Sequence, residues 1–352
     1  MKNIFVLLFI LSTMVKAEEP LLTIDKEHHG HHGHDHQAHS QSPIGVMGAH
    51  LHDEGQWMFS YRFKYMDMEG LRDGDKRVSH LDNVGNPNAQ PGRFMVLPRR
   101  MRMKMHMLSA MYGVTDKWTI ALMVPWLEKD MSHKALPGNH FTTRSDGFGD
   151  IKVNSLYKLF GSEEFDLIFN LGVSLPTGNI DEKGNTPLAP NGVKLPYPMQ
   201  LGSGTLDISP GLTLVGHKEN WGWGLQTIAT LRFFRNSEGY NQGNSLLVNA
   251  WASRKLTRNF SLSLRMEINS WEDFQGHDDT INNSQRIIPT ADNDLRGGSR
   301  LDVHLGCNYL VTEGLMAGHN FGVEVGMPVY QYIDGPNLET DISVTLGWQY
   351  RF

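Results

Sequence analysis

From Leu338 to the carboxy-terminal Phe352 the chain alternates without interruption. Ile342, Val344, Leu346, Trp348, Tyr350 and Phe352 fall on one side of an extended strand. Asp341, Ser343, Thr345, Gly347, Gln349 and Arg351 fall on the other. Successive side chains of a strand point to opposite faces, so this segment has one apolar face closed by aromatics and one polar face. The same period runs from Trp57 to Met66, where five aromatics alternate with Met58, Ser60, Arg62, Lys64 and Met66. In a third segment Met101, Met103, Met105 and Met107 alternate with Arg102, Lys104 and His106. A helix would scatter those bases around its circumference, whereas a strand sorts them onto one face. Each segment alone fits either a membrane strand or the edge of a soluble sandwich.

The spacing of the segments decides between these. Further strands are predicted at about 117–127, 150–160, 167–175, 206–215, 223–234, 246–256, 260–269, 301–310 and 321–330. That makes about twelve, mostly of the nine to eleven residues that a tilted strand needs to cross a bilayer. Short turns such as 112–116, 161–164, 217–220 and 257–259 alternate with longer polar stretches at 67–95, 128–149, 176–205 and 271–298. Outer-membrane barrels have short periplasmic turns and long outward loops. The fold predicted is therefore all-β, a transmembrane antiparallel up-and-down barrel. Fourteen strands would result if 176–205 or 271–298 hides a hairpin.

Residues 1–17 read as a signal peptide, with Lys2, an apolar run from Ile4 to Val15, and Ala17 where cleavage would fall. Residues 18–54 form a flexible periplasmic segment rich in histidine, and 55–352 the barrel. After Ala17 no apolar run approaches the length of a membrane helix, and the mean hydropathy is negative. A net charge of -6 gives no reason to expect nucleic acid as a partner. The single cysteine, Cys307, excludes an internal disulfide framework.

With the more polar face turned inward, the candidate lumen-lining residues are Arg62, Lys64, Arg102, Lys104, His106, Lys152, Arg232, Arg265, Glu267, Asp302, His304, Glu324 and Asp341. The methionines at 101–107 then face lipid. Such a lumen is either a charged, watery passage or a core closed by ion pairs, since buried charges must pair.

His28, His29, His31, His32, His34, His36 and His39 form an interrupted tract before the first strand, and His50 and His52 follow it. Neutral imidazoles ligate Cu, Zn or Ni, and several on a flexible segment chelate without a fold. No cofactor is otherwise required. No Gly-x-Ser-x-Gly elbow or His-Glu-x-x-His motif is present, so no enzyme activity is expected.

Several short motifs then stand in a telling order: Tyr112-Gly113-Val114-Thr115-Asp116-Lys117, Val124-Pro125-Trp126, Gly147-Phe148-Gly149-Asp150, Ser174-Leu175-Pro176-Thr177-Gly178, Gly202-Ser203-Gly204-Thr205-Leu206-Asp207 and Asp334-Gly335-Pro336, with Tyr350-Arg351-Phe352 at the end. Over residues 45–352 the chain resembles the MetA-pathway of phenol degradation family, outer-membrane barrels of Gram-negative bacteria. The resemblance implies a passive channel or transporter for small molecules, with aromatic or hydrophobic compounds the suggested class. The His-rich tract adds metal-related solutes. The alternative is a non-conducting barrel that binds divalent metal or serves as an adaptor. Expected partners are outer-membrane lipid, the solute, and the barrel-assembly machinery acting through the terminal strand.

Overall fold

The computed structural model describes residues 42–352 apart from 91, 137, 188 and 283–286. The signal peptide and the histidines at 28–39 lie outside the described residues.

The first half of the chain forms strands β1 (Trp57–Gly74), β2 (Lys76–Val78), β3 (Val96–Thr115), β4 (Trp118–Ala135), β5 (His140–Phe148), β6 (Ile151–Gly161), β7 (Phe165–Leu175), β8 (Lys183–Thr186) and β9 (Ala189–Lys194). The second half forms β10 (Asp207–Lys218), β11 (Trp221–Thr230), β12 (Tyr240–Asn241), β13 (Ser245–Lys255), β14 (Phe260–Trp271), β15 (Gln275–Gly276), β16 (Gly298–Leu310) and β17 (His319–Arg351). Eleven of them, β1, β3, β4, β6, β7, β10, β11, β13, β14, β16 and β17, are antiparallel neighbours in that order, and β17 pairs back onto β1. The sheet is thus a closed barrel, with β2 and β5 added at its rim. Closure leaves the ring no free edge, so strand pairs with strand all round it, as a lipid setting demands.

β17 has 33 residues and serves two neighbours. Its residues 320–333 pair with β16, and 337–351 pair with β1. The chain doubles back within it: the Trp348 indole donates to His319 Nδ1 at 2.8 Å, and Tyr350 stacks on the same imidazole at 4.3 Å. The loop at 176–205 does hold a hairpin, β8–β9, but its strands pair only with each other and add nothing to the ring.

The outer wall is apolar because alternation sends every second residue into it. Along β14 Leu264 is 49% exposed while its neighbour Arg265 is 3% exposed. Leu122, Leu171, Leu212, Leu225, Leu305, Val325 and Leu346 continue the exposed band round the barrel. Trp57, Trp118, Tyr157 and Trp221 edge it on one side, and Trp126, Phe148, Tyr330 and Tyr332 on the other. In water such a band would drive association, whereas in a bilayer it is the required surface, with aromatics at both interfaces.

Two expectations about this wall need correction. The stretches 67–95 and 128–149 are not simply loops, because β1 runs on to Gly74, β4 to Ala135, and β5 folds back on β4. Pairing survives beyond the apolar band because cross-strand ion pairs replace apolar contacts there. Lys104 meets Glu128 at 3.0 Å, Arg144 meets Asp130 at 2.6 Å, and Arg100 holds Asp67.

The second correction reverses the methionine strand. Arg62 pairs across with Met107, and Phe63 with His106. Met101, Met107 and Met111 are therefore inside and buried, while Leu108 on the opposite face is 62% exposed. Arg102, Lys104 and His106 point outward, where His106 packs on Phe63 and bonds the Tyr61 hydroxyl at 2.7 Å. The inward-polar rule holds only within hydrocarbon, and these three stand at its outer edge or above it. Asp341 is no lumen residue by register either. Asp67 pairs with Ile342 and Met68 with Thr340, so Asp341 is the bulged, exposed residue between them.

Candidate functional site: a filled lumen

Inside the barrel the side chains are small or polar along most strands, and residues 42–56 occupy the space they leave. This segment precedes β1 and belongs in part to the stretch expected to be periplasmic. Instead its backbone is bonded by one strand after another. Gly45 N–H donates to Glu324 Oε2 at 2.7 Å, and Arg62 Nε donates to the Ile44 carbonyl at 2.9 Å. Gln226 donates to the Met47 carbonyl at 2.9 Å, Asn170 to the Gly48 carbonyl at 2.7 Å, and the His52 N–H to Thr119 Oγ1 at 2.9 Å. Those partners come from β17, β1, β11, β7 and β4, so the segment crosses the lumen from one wall to the other. Gly55 and Gln56 then bond Gly113, bringing the chain to the start of β1.

Glycines shape the seat. A β-carbon added at Gly347 would lie 2.2 Å from Ile44 Cγ1, and one at Gly322 would lie 2.6 Å from Ile44 Cβ. No side chain fits at either position while Ile44 is in place. Farther along, Val46 and Ala49 pack on Trp251, which faces inward. Leu51 packs with Met58, Met111, Leu156 and Ile168. The inward methionines thus have apolar partners within the lumen, as the inward Trp251 does. His52 is buried and meets the half-buried His50 edge-on at 5.1 Å, inside the barrel wall.

Next to this segment lies a buried charge network. Arg265 donates to Glu324 Oε1 at 2.6 Å and to Asn249 Oδ1 at 2.8 Å, and also binds Glu267. Arg300 donates to Asp302 Oδ2 at 2.7 Å, and His304 Nδ1 stands 3.5 Å from Glu324 Oε1. Every oxygen of Glu324 is engaged, one by Arg265 and the other by Gly45, so the network holds the segment in place. Arg62, Arg265, Glu267, Asp302, His304 and Glu324 all face inward and are buried. Lys64 is on the same face of β1 as Arg62. Lys152, paired with Met123, is inward but exposed, and Arg232 binds Asp207 at 3.0 Å.

Glu267, Asp302 and His304 place one ligand atom each within 4.8 Å of one another, a group that could hold a metal ion. Both carboxylates are already taken by guanidinium groups, however, and an incoming cation would have to displace them. The donor set fits an ion-paired core better than a metal centre.

Loop residues pack over the outer mouth. Residues 195–201 fold inward, where Leu195 and Met199 pack on Met101 and Met131. Ser145 donates to the Met199 carbonyl at 2.7 Å, and Lys129 to the Pro198 carbonyl at 2.9 Å. Lys194 is clamped by Asp278 at 2.6 Å and Glu238 at 2.8 Å. Burial works to raise the Asp278 carboxyl, but the bonds from Lys194 and Thr280 outweigh it and hold the group below the usual carboxylate range. A depressed value means the clamp contributes above the ordinary carboxylate pKa and is lost only as pH falls through the lowered one.

The sequence pattern of the family described as "Putative MetA-pathway of phenol degradation" matches residues 85–335. This chain belongs to that family. No curated protein sequence matches it. An outer membrane channel from Pseudomonas putida F1 has a similar structure, with a TM-score of 0.56 at 14% identity over 86% of this chain and 98% of that one. A FadL homologue from Pseudomonas aeruginosa is more distant, with a TM-score of 0.43 at 12% identity over 84% of this chain and 90% of that one. The family and the exposed apolar band place this barrel in the outer membrane.

Sequence reasoning missed the lumen segment. Its signals were present: Pro43-Ile44-Gly45-Val46-Met47-Gly48-Ala49 is an apolar, glycine-rich stretch directly after the polar leader, and Gly322 and Gly347 stand on opposite halves of β17. Neither signal means anything until the two halves are known to be neighbours.

Proposed function

We propose that this protein is an outer-membrane channel for small molecules whose lumen is governed by residues 42–56, and that it is not an enzyme. The observation that carries the reading is the row of wall-to-wall bonds made by those residues. A bonded but short segment, joined to a leader, is a removable obstruction, whereas a core built only from barrel side chains would be permanent. Counting the two halves of β17 as separate spans gives twelve, with both chain ends on the periplasmic side, so the obstruction is reachable from there. Apolar or aromatic compounds are the solutes we favour, because Met101 and Met131 make the inward face above the segment apolar. The Pseudomonas putida protein described as a channel is consistent with this reading. Uptake by proteoliposomes tests it: full-length protein should admit small solutes slowly, and protein lacking residues 42–52 should admit them much faster. Equal and negligible uptake by both, with folding intact, would favour the second reading, a non-conducting barrel with a closed ion-paired core.

The histidines at 28–39 we assign to binding Cu, Zn or Ni in the periplasm. Their residue type and spacing support this, through ordinary imidazole chemistry. Calorimetric titration against protein lacking 28–39 checks it, and equal heats from both proteins would remove the assignment.

A further inference from the structure

At the outer mouth β4, β5 and the β8–β9 hairpin enclose, with residues around Ile288, a cavity of about 430 Å³. Val96, Ala135, Phe141, Leu195, Ile288 and Ala291 give it a mainly apolar lining. His133, Asn139, Thr143, Thr186 and Lys194 interrupt that lining, and two of them stand out. His133 is 1% exposed and Thr143 is 3% exposed, yet Thr143 Oγ1 has no hydrogen-bond partner, and His133, which touches the Met131 backbone, has no well-formed bond at Nδ1. The His133 ring is stacked on Phe141 at 4.7 Å and nearly parallel to it, so it is not free to swing toward another group.

A buried polar atom without a partner costs about 1–3 kcal/mol. Two of them lining one cavity are hard to explain as packing, because valine and phenylalanine would fill the same positions without that cost. They are easily explained as groups awaiting a guest. The volume lies in the range of small-molecule pockets, about 300–1,000 Å³, and far exceeds what one or two bridging waters occupy. The guest has to be apolar over most of its surface to match the walls. One hydroxyl on the guest serves both groups whichever tautomer the imidazole holds, because it can donate to one and accept from the other. Among the described residues a carboxylate finds no free cation, because Lys194, which lines the cavity, is ion-paired with Asp278 and Glu238. A plain hydrocarbon would leave both polar atoms unpaired.

We propose that this cavity is a binding site for a small, largely apolar molecule carrying one hydroxyl group, which Thr143 and His133 recognise. The assignment rests on the reading of the barrel as a small-molecule channel and names a capture site at its outer mouth. 1-Naphthol and naphthalene, which differ by the one hydroxyl, are suitable probes for full-length protein in lipid nanodiscs, with empty nanodiscs as the baseline. The wild type should bind 1-naphthol more tightly than naphthalene. Thr143→Val and His133→Phe should each weaken 1-naphthol by roughly five- to tenfold, the usual effect of one hydrogen bond, and leave naphthalene unchanged. Ala291→Trp should abolish binding of both by filling the space. Heat-modifiable migration on gels reports whether each variant is folded, and the near-isosteric Thr143→Val keeps the test valid should the tryptophan variant fail. Undiminished 1-naphthol binding by Thr143→Val and His133→Phe would overturn the proposal, and so would binding that a folded Ala291→Trp retains. Because binding is read without transport, its loss counts against this site alone. Intact binding without solute uptake would count against the channel instead.

Discussion

Protein lacking residues 42–52 should carry stepwise current across a planar bilayer, where the full-length barrel is quiet or opens rarely. The segment accepts or donates bonds to Glu324, Arg62, Gln226, Asn170 and Thr119, on five different strands. Removing it frees a cross-section lined by glycine, serine, asparagine and glutamine, which water wets readily. The ring itself should survive, because its backbone pairing involves no residue before Trp57. Stability should fall by the contacts of Ile44, Val46, Ala49 and Leu51 and by the hydrogen bonds the segment makes to the wall. Burying such side chains is worth about 1.5–3 kcal/mol each for the larger ones, an upper figure for chain ordered from a flexible state. Recording both proteins from the same preparation, with gel migration as the folding check, separates a plugged pore from a solid core.

Arg265→Ala should be the most damaging single change in the lumen. The guanidinium binds Glu324, Glu267 and Asn249 at once, and Glu324 is almost fully buried. Removing one partner of a buried ion pair leaves uncompensated charge, which typically costs about 3–5 kcal/mol. Here two carboxylates lose their cation together, with Lys64 and His304 the bases left nearby among the described residues. Urea unfolding in detergent measures the effect as a drop in midpoint. A triple change, Arg265→Met with Glu267→Gln and Glu324→Gln, removes the charges together and should recover most of the loss. If Arg265→Ala unfolds at the wild-type midpoint, the network is not the support described here.

The class of fold was legible because alternation survives in most membrane-crossing strands, Ser245–Lys255 with its inward Trp251 being an exception. Within hydrocarbon the outward residue must be apolar, so Leu262, Leu264, Met266 and Ile268 opposite Ser263, Arg265 and Glu267 admit one assignment. The β3 strand shows where that logic stops. Its upper half stands above the apolar band, where water permits Arg102 and Lys104 outside, and where inward Met101 packs on Leu195 and Met199 of a distant loop. Alternation still reports two faces there, but it no longer says which one is inside. Asp341 was misplaced for a related reason, since a bulge shifts the parity of every residue beyond it and leaves little mark on the sequence. The lumen segment was illegible for a third reason. Ile44 fits against Gly322 and Gly347 only after closure has brought the two halves of β17 side by side.

One measurement bears most directly on the claim that residues 42–56 close the lumen. Ile44→Cys and Gly322→Cys, in a Cys307→Ser background, place two thiols where the β-carbons stand 2.6 Å apart, so the segment need back off by only about 1 Å to reach disulfide geometry. The bond should form on oxidation and lock the segment in its seat. Current recorded from the oxidised protein should be absent, and addition of reductant should release openings, since neither position then anchors the segment as Ile44 does. Steady current through the fully oxidised, disulfide-bonded protein would contradict the account, because solute and ions would then be passing a lumen that the segment still occupies.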